Sequence, residues 1–335
     1  SITTLVLAIV IVLTGVFLWI NHKESSTVAL DLADRFFSEV NEKMADRYAS
    51  ALEAVAVLAG SASLMPSMAE KPIDEGLSHP GLAFMIKALE HFDYLFSLYT
   101  AYPDGSFIQV TATRGSETVN ANLASPEDAC FVVRTIINVP NSTSRQFWSF
   151  LDHAGELLFV RLEFAPQFDP RKRPWFRKAL ESDQAVYTSP YVFSATKLPG
   201  ITCAEQLSGE GGVFGADITL ERFAESFTRQ HISENDLLFL FDQAGRILAH
   251  PTEKTIQTVV TQKGDLSMEE VRFLKGEDSS DPVLRAVVDS YASPTGISVN
   301  KTQLLTIENI PYLVHLYTMD KKLGFDEIIG SAAPL

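Results

Sequence analysis

The segment Phe168-Asp-Pro-Arg-Lys-Arg-Pro-Trp-Phe176 brings together two prolines, three basic side chains and three aromatic rings. Proline fixes φ and is tolerated in the first turn of a helix, so the segment predicts a stiff loop that enters a helix. Arg173 offers a planar fork that matches a carboxylate, and Trp175 offers an apolar wall with one N–H donor. We therefore predict a ligand-binding site here. The alternative is structural, with Arg173 paired to Asp169 or Glu181 and Trp175 in the core.

Two further segments follow this one along the chain, Tyr187-Thr-Ser-Pro-Tyr-Val-Phe193 and Gly212-Val-Phe-Gly-Ala-Asp-Ile218. The order and spacing of the three segments resemble the double Cache (dCache) family of extracytoplasmic sensors in bacterial transmembrane receptors. The resemblance covers practically the whole chain, and the Pro-Trp-aromatic and Gly-x-x-Gly-x-Asp segments are its most specific parts. It implies an α+β fold, in which a transmembrane helix and a long stalk helix precede two PAS-like lobes, each an antiparallel sheet flanked by helices.

The resemblance also implies a set of ligand-binding residues in the first lobe. In family members that bind amino acids, an aromatic residue, Arg, Trp and Tyr hold the ligand carboxylate, and a later Tyr with two Asp holds the ammonium group. The residues expected to bind a ligand here are Phe168, Arg173, Trp175, Phe176, Tyr191, Phe193 and Asp217.

Three of these positions depart from the family pattern. Phe168 and Phe176 keep the aromatic ring but lack a hydroxyl, and Phe193 stands where an Asp is expected. The ammonium side therefore loses one charge, and an amino acid becomes one candidate beside an amine and a small carboxylate. Asp217 also has a structural alternative, since an Asp at a strand end often caps the helix that follows, here near Thr219.

The first residues of the chain predict a membrane anchor. Residues 2–20 form an apolar run without charge, about long enough to cross the hydrocarbon core, and Trp19 would lie at the headgroup level. We assign residues 1–22 to a transmembrane anchor, because the core of a signal peptide, the alternative, is shorter and ends in a small-residue cleavage site.

Residues 27–64 predict a long amphipathic helix, which we assign to a signalling and dimerisation element over residues 23–66. Its apolar positions recur at steps of three or four, close to a heptad. They are Leu30, Ala33, Phe37, Val40, Met44, Tyr48, Ala51, Val55 and Leu58. Such a stripe packs on its own domain, on a second copy in a homodimer, or on both.

Beyond residue 95 the apolar period changes to two, which indicates strands. Runs at 95–111 and 147–164 read as hairpins around the turns Pro103-Asp-Gly105 and Asp152-His-Ala-Gly155, and further strands follow at 191–193, 201–206 and 213–218. Residues 237–250 repeat the strand, turn, strand arrangement, with last strands at 304–307, 312–317 and 328–332. We predict a distal, ligand-binding lobe at 67–222 and a smaller proximal lobe at 223–335, joined by a helix at 219–232.

Composition narrows the function classes. The net charge of −15 over 335 residues argues against nucleic-acid binding, which needs clustered Lys and Arg. The seven His residues are scattered without metal-ligand spacing, so neither a metal site, a cofactor nor a catalytic residue is expected. Cys130 and Cys203 either pair or are small buried side chains.

These features predict the sensor of a receptor in the bacterial inner membrane, with both lobes in the periplasm or outside the cell. A small molecule in the distal lobe would control a cytoplasmic output domain. The long helix looks most like Cache receptors fused to class III adenylate or guanylate cyclases, with histidine kinases and chemoreceptors as alternatives. The ending near Gly330 resembles the point where Cache domains return to the membrane, so a second span is expected. A membrane-tethered exported enzyme and a ligand-free dimerisation module are alternatives of other classes.

Overall fold

The computed structural model describes residues 2–139, 141–209, 211–221, 237–263, 266–319 and 327–335, with side chains from residue 31 onward except 258–270. Among the residues with described side chains, no helix has the length and the apolar character that a membrane crossing requires. The anchor predicted for residues 1–22 falls on side chains outside this description and stays a prediction.

Helix α1 (Ile2–Ser63) runs along both lobes and confirms the long helix predicted at 27–64. One stripe of its surface is buried, at Phe37, Asn41, Met44, Tyr48, Leu52, Val55, Ala59 and Ala62. Steps of three and four keep these positions on one face, and that face packs against the sheets of both lobes. The buried stripe of α1 is therefore occupied by its own chain, while Val57 and Leu64 are exposed.

The distal lobe is built on a nine-stranded antiparallel sheet within the described ranges. Its strands are β1 (Ser97–Ala101), β2 (Phe107–Ala112), β3 (Phe131–Ile137), β4 (Arg145–Leu151), β5 (Leu157–Phe164), β6 (Val186–Tyr187), β7 (Tyr191–Val192), β8 (Pro199–Gln206) and β9 (Val213–Thr219). Their order is β5-β4-β3-β2-β1-β9-β8-β6, and β7 pairs with β8. The helices of this lobe are α2 (Pro66–Ala69), α3 (Leu82–His91), α4 (Glu117–Leu123) and α5 (Pro174–Leu180).

The turn between β1 and β2 shows how local sequence sets the strand register. Gly105 has φ +86°, a left-handed conformation that glycine adopts without steric cost. The Asp104 carboxylate accepts a hydrogen bond from the backbone N–H of Ser106 at 2.9 Å, which closes the turn. Ala101 then pairs with Phe107, as the hairpin prediction requires.

The proximal lobe has a five-stranded antiparallel sheet in the described part of the chain. Its strands are β10 (Leu237–Asp242), β11 (Ile247–Ala249), β14 (Lys301–Ile307), β15 (Ile310–Thr318) and β16 (Glu327–Pro334), in the order β11-β10-β16-β15-β14. A separate hairpin joins β12 (Ile256–Lys263) to β13 (Leu266–Phe273). Helix α6 (Pro282–Ala292) begins at its cap Asp281 and buries Leu284 and Val287 in the core of this lobe.

Both lobes share one central strand order, in which the first strand lies between its hairpin partner and the last strand. A matching close approach marks the repeat. Tyr99 of β1 lies opposite Gly215 of β9, and Phe239 of β10 lies opposite Gly330 of β16. A Cβ at these glycines would lie 2.1 Å and 2.4 Å from the facing ring, so each ring needs a glycine across from it. This match supports the predicted internal repeat.

A buried polar cluster fastens α1 to the proximal sheet. The Asn41 amide donates to His315 Nδ1 at 2.8 Å, and the Ser331 hydroxyl donates to Asn41 Oδ1 at 2.6 Å. Burial lowers the pKa of His315, which favours the neutral ring that can accept this bond. Two turns earlier on α1, the Asp34 carboxylate accepts from the backbone N–H of Thr302 at 2.6 Å.

The α+β class with two lobes of antiparallel sheet flanked by helices is confirmed. Strand β3 and the hairpin β12–β13 are elements that the sequence patterns did not predict. The predicted boundary at 222 and 223 and most of the connecting helix at 219–232 lie outside the described residues, so the domain limits stay predictions. Cys130 and Cys203 are both free, so the alternative that they pair is wrong; Cys203 is buried in the core.

Candidate ligand-binding site

The Phe168–Phe176 segment forms a tight 3-10 turn that leads into α5, as its prolines predict. The carboxylate of Asp169 pairs with the guanidinium of Arg171 at 2.9 Å, and this hydrogen bond lowers the pKa of Asp169. Asp169 is therefore not the partner of Arg173. Among the described residues, Arg173 has neither a hydrogen bond nor an ion pair through its guanidinium.

Two connected spaces lie between the distal sheet and this segment. The inner cavity has a volume of ≈ 30 Å³ and the outer pocket ≈ 550 Å³. The inner cavity holds about one or two water molecules, whereas the outer pocket has room for a small metabolite. The side chains that line both are Arg134, Trp148, Phe168, Arg173, Ser194 and Ala195.

The cavity walls combine aromatic rings with guanidinium groups. Trp175 packs on Tyr99 with ring centroids 4.8 Å apart. The guanidinium carbon of Arg173 lies 5.9 Å from the Phe168 ring centroid and 5.7 Å from that of Tyr191. These contacts hold a cation against aromatic faces, which is a favourable arrangement that leaves its N–H donors free for an anion.

Asp217 lies at the closed end of the inner cavity and is 4% exposed. Its Oδ1 accepts hydrogen bonds from the Tyr99 hydroxyl at 2.8 Å and the Thr202 hydroxyl at 2.6 Å. The Tyr191 hydroxyl and the Thr202 hydroxyl are 2.7 Å apart, and because Thr202 donates to Asp217, Tyr191 acts as the donor to Thr202. These bonds occupy one carboxylate oxygen. In the part of the chain that the structure describes, Oδ2 has no partner.

Burial raises the pKa of Asp217 from the ordinary 3.8 to about 7, against the opposing effect of its two hydrogen bonds and of the Arg173 charge. Between these two pKa values the folded chain holds a proton that the unfolded chain has lost. Stability is therefore expected to fall as pH rises from about 4 to about 7, by on the order of 4 kcal/mol from this group, and to level off above.

Urea unfolding of the wild type and of Asp217→Asn over this pH range measures the effect. Because the amide does not titrate, the variant should lose less stability than the wild type as pH rises. Parallel stability curves for the two proteins would contradict the assignment of a raised pKa to Asp217.

Similar proteins of known sequence include a nucleotide cyclase and a chemoreceptor. The chain is 23% identical over 264 residues to Adenylate cyclase 1 of Rhizobium meliloti, covering 77% of this chain and 38% of the cyclase. It is 29% identical over 117 residues to the methyl-accepting chemotaxis protein McpC of Bacillus subtilis, covering 31% of this chain and 18% of McpC. The chain thus spans less than half the length of these curated relatives. No family model matches the sequence.

The solved structure of the ligand-binding domain of Pseudomonas fluorescens chemoreceptor CtaA, in complex with L-isoleucine, superimposes on this chain with a TM-score of 0.51. The match covers 90% of this chain and 92% of that domain, at 17% sequence identity. The chain has the fold of a Cache sensor domain. At 17% identity the match shows the fold of this chain and does not identify a ligand.

Six of the seven residues assigned from the resemblance line the inner cavity of the distal Cache lobe, namely Phe168, Arg173, Trp175, Tyr191, Phe193 and Asp217. Phe176 does not line it. Consecutive helical residues point about 100° apart, so Trp175 faces the cavity while Phe176 packs in the core beside it, with ring centroids 5.8 Å apart. Phe193, in the position of the missing Asp, stacks on Phe96 at 6.0 Å.

The cavity also contains polar residues that the sequence patterns did not assign to it. Arg134 and Trp148 come from the neighbouring strands β3 and β4, and Tyr99 comes from β1. Arg134 is 6% exposed and is the charged residue in the buried, mostly apolar strand β3. An arginine within a run of buried residues was the signal in the sequence that could have assigned Arg134 to the site, because a buried charge is costly unless it is paired.

The proximal Cache lobe lacks the polar set around Asp217. The strands of the two lobes pair in the same register, so each position in one lobe has an equivalent position in the other. In the distal lobe these positions are Ser97, Tyr99, Thr202 and Asp217; in the proximal lobe they are Leu237, Phe239, Val314 and Ala332. The proximal positions form an ordinary apolar core, so buried polar groups at this place are a property of the distal lobe alone.

Proposed function

We propose that this chain is the extracytoplasmic sensor of a bacterial transmembrane receptor and that it binds a small molecule in the distal Cache lobe. The observation that carries the proposal is the polar distal cavity, where a guanidinium without a partner in the described chain, Arg173, faces the same space as the buried acid Asp217. Leaving such groups unpaired is costly, and a ligand that satisfies them explains why they are there.

The chemistry of the cavity favours a ligand with a carboxylate. The fork of Arg173 matches a carboxylate in two parallel hydrogen bonds, and Phe168 and Trp175 supply apolar walls. An amino acid would place its ammonium group at Asp217 and Tyr191. Phe193 offers no second charge there, so amino acids, amines and small carboxylates are all tested below. The complex of the chemoreceptor CtaA with L-isoleucine supports a ligand of this size.

We further propose that α1 connects the sensor to a membrane anchor at residues 1–22 and that the lobes lie outside the inner membrane. The output domain that we favour is a nucleotide cyclase, because the match to Adenylate cyclase 1 extends over 77% of this chain. A chemoreceptor or a histidine kinase is the alternative output, and the match to McpC supports the former. A homodimer would have to use surfaces of α1 outside its buried stripe, such as the face with Val57.

A thermal-shift screen of the 335-residue chain tests the binding proposal. The compounds are the free amino acids, short amines, monocarboxylates and dicarboxylates, each at saturating concentration. A ligand at 100 times its Kd stabilises the folded state by about 2.7 kcal/mol, which is a readily measured rise in Tm. At least one of these classes is expected to raise the Tm. If all of them leave it unchanged, the proposal that this lobe senses a small polar metabolite is wrong.

A further inference from the structure

The cavity contains a second arginine, Arg134, whose charge has no carboxylate directly against it in the described chain. Its Nε and one Nη donate to the same acceptor, the neutral amide oxygen of Gln146, at 2.9 Å and 2.8 Å. The nearest acid in this network, Glu163, is reached only through Gln146 and is itself paired with Arg161 at 3.1 Å. The remaining Nη of Arg134 has no acceptor among the described residues.

Arg134 is enclosed by aromatic rings rather than by counter-charges. Its guanidinium carbon lies 4.2 Å from the Phe168 ring centroid and 4.8 Å from that of Trp148. The indole N–H of Trp148 is buried and has no hydrogen-bond partner within the described ranges. Two donors of the same wall, one charged and one neutral, are therefore without an acceptor.

The positive charge at this place is only partly offset by nearby carboxylates. Arg134 and Arg173 lie against the same ring, Phe168, within reach of one small ligand. Burial lowers the pKa of Arg134 to about 10, the charge of Glu163 opposes this shift, and the charge of Arg173 adds to it. Asp217 is the acid of the inner cavity, and its pKa of about 7 leaves it only partly ionised at neutral pH. In the inner cavity the two cations thus face one acid that is only partly ionised, and in the outer pocket they face Glu163, whose carboxylate is already paired with Arg161.

We infer that the ligand is a small dicarboxylate, with one acidic group held by Arg173 and the other by Arg134 together with the Trp148 N–H. This inference rests on the proposed function and narrows its ligand class. A zwitterionic amino acid satisfies one arginine and brings a positive charge into a cavity that already has two. A dicarboxylate supplies acceptors to both arginines and balances their charge, with the aromatic walls against its methylene groups.

Isothermal titration calorimetry on the 335-residue chain tests the inference. The probes are the linear dicarboxylates from malonate to adipate, the monocarboxylates of the same chain lengths, and L-isoleucine. The variants are Arg134→Gln, which removes the charge and keeps a planar donor group, and Arg134→Lys, which keeps the charge and loses the fork. Arg145→Gln on β4 is the matched control, since its guanidinium is exposed. Circular dichroism checks that each variant is folded.

The wild type should bind its best dicarboxylate at least about 10-fold more tightly than the matched monocarboxylate. Arg134→Gln should remove this preference, because it takes away the second cation, while Arg145→Gln should change neither the preference nor monocarboxylate binding by more than about 2-fold. If Arg134→Gln does not fold, the ratio of dicarboxylate to monocarboxylate affinity in the wild type and in Arg134→Lys tests the inference. The lysine variant should prefer the dicarboxylate less strongly than the wild type does.

Three results would overturn the inference. If monocarboxylates or L-isoleucine bind the wild type as tightly as any dicarboxylate, the second acidic group is unnecessary and only the proposed function survives. If the dicarboxylate preference is unchanged in a folded Arg134→Gln, the second acidic group of the ligand is held by residues other than Arg134. If no probe binds and the broader thermal-shift screen is also negative, the proposed function fails with it.

Discussion

Replacing Arg173 with alanine is expected to weaken the binding of the most stabilising compound from the thermal-shift screen by about 100-fold. The guanidinium lines both the inner cavity and the outer pocket, and among the described residues it has neither a hydrogen bond nor an ion pair. Removing one partner of a desolvated charge pair leaves the other charge unpaired, which costs about 3 kcal/mol, or roughly two decades of Kd. Calorimetric titration of wild type and variant gives this ratio directly.

Arg177→Ala is the matched control for this change. Arg177 lies one turn beyond Arg173, which caps α5; it is exposed and, among the described residues, donates only to the backbone oxygen of Lys172 at 3.2 Å. Its loss should alter Kd by less than about 2-fold, since exposed charges of this kind contribute little. Equal losses of affinity in both variants would mean that the general positive charge near α5, and not the guanidinium fork of Arg173, attracts the ligand.

Leu52→Ala is expected to reduce the free energy of unfolding by about 2 to 5 kcal/mol. Leu52 is fully buried on α1, in the cluster that joins the helix to the strands of both lobes. Its truncation removes apolar contacts and leaves a cavity in a region where helix and sheets cannot easily collapse together. Urea unfolding followed by far-UV circular dichroism measures the loss.

Val57→Ala tests whether the position of the residue on the helix face causes this effect. Val57 lies on the same helix but is 70% exposed, so its truncation should change the free energy of unfolding by less than about 0.5 kcal/mol. A loss at Val57 as large as that at Leu52 would indicate that the exposed face of α1 is covered in solution, as a dimer through that face requires.

The hairpins of the fold were predictable because their signals are local. In the β1–β2 hairpin, Pro103-Asp-Gly105 supplies the turn chemistry, and the flanking strands follow at once in the sequence. Strand β3 was missed for a physical reason. All its residues from Phe131 to Ile137 are buried on both faces, so the alternation of apolar and polar residues that marks a half-exposed strand is absent.

The binding site was only partly predictable for the same reason. Arg173, Trp175 and Asp217 belong to segments with recognisable spacing, whereas Arg134 comes to the cavity on the strand that was missed. Helix phase places Phe176 beside the cavity rather than in its wall. The predicted stripe of α1 was also displaced by one residue in places, because Asn41 rather than Val40 points inward to bond His315 and Ser331. Long-range polar pairs of this kind leave no trace in hydrophobic periodicity.

We place the ligand in the distal Cache lobe. A second pocket is the alternative place for it. Between the lobes lies a space of ≈ 410 Å³ that is lined mainly by residues 248–256. Hydrogen–deuterium exchange of the 335-residue chain, with and without the most stabilising compound, separates the two. We expect slower exchange at residues 168–176, 191–196 and 213–219, and unchanged exchange at 248–256. Slower exchange at 248–256 with no change in the three distal segments would contradict the account.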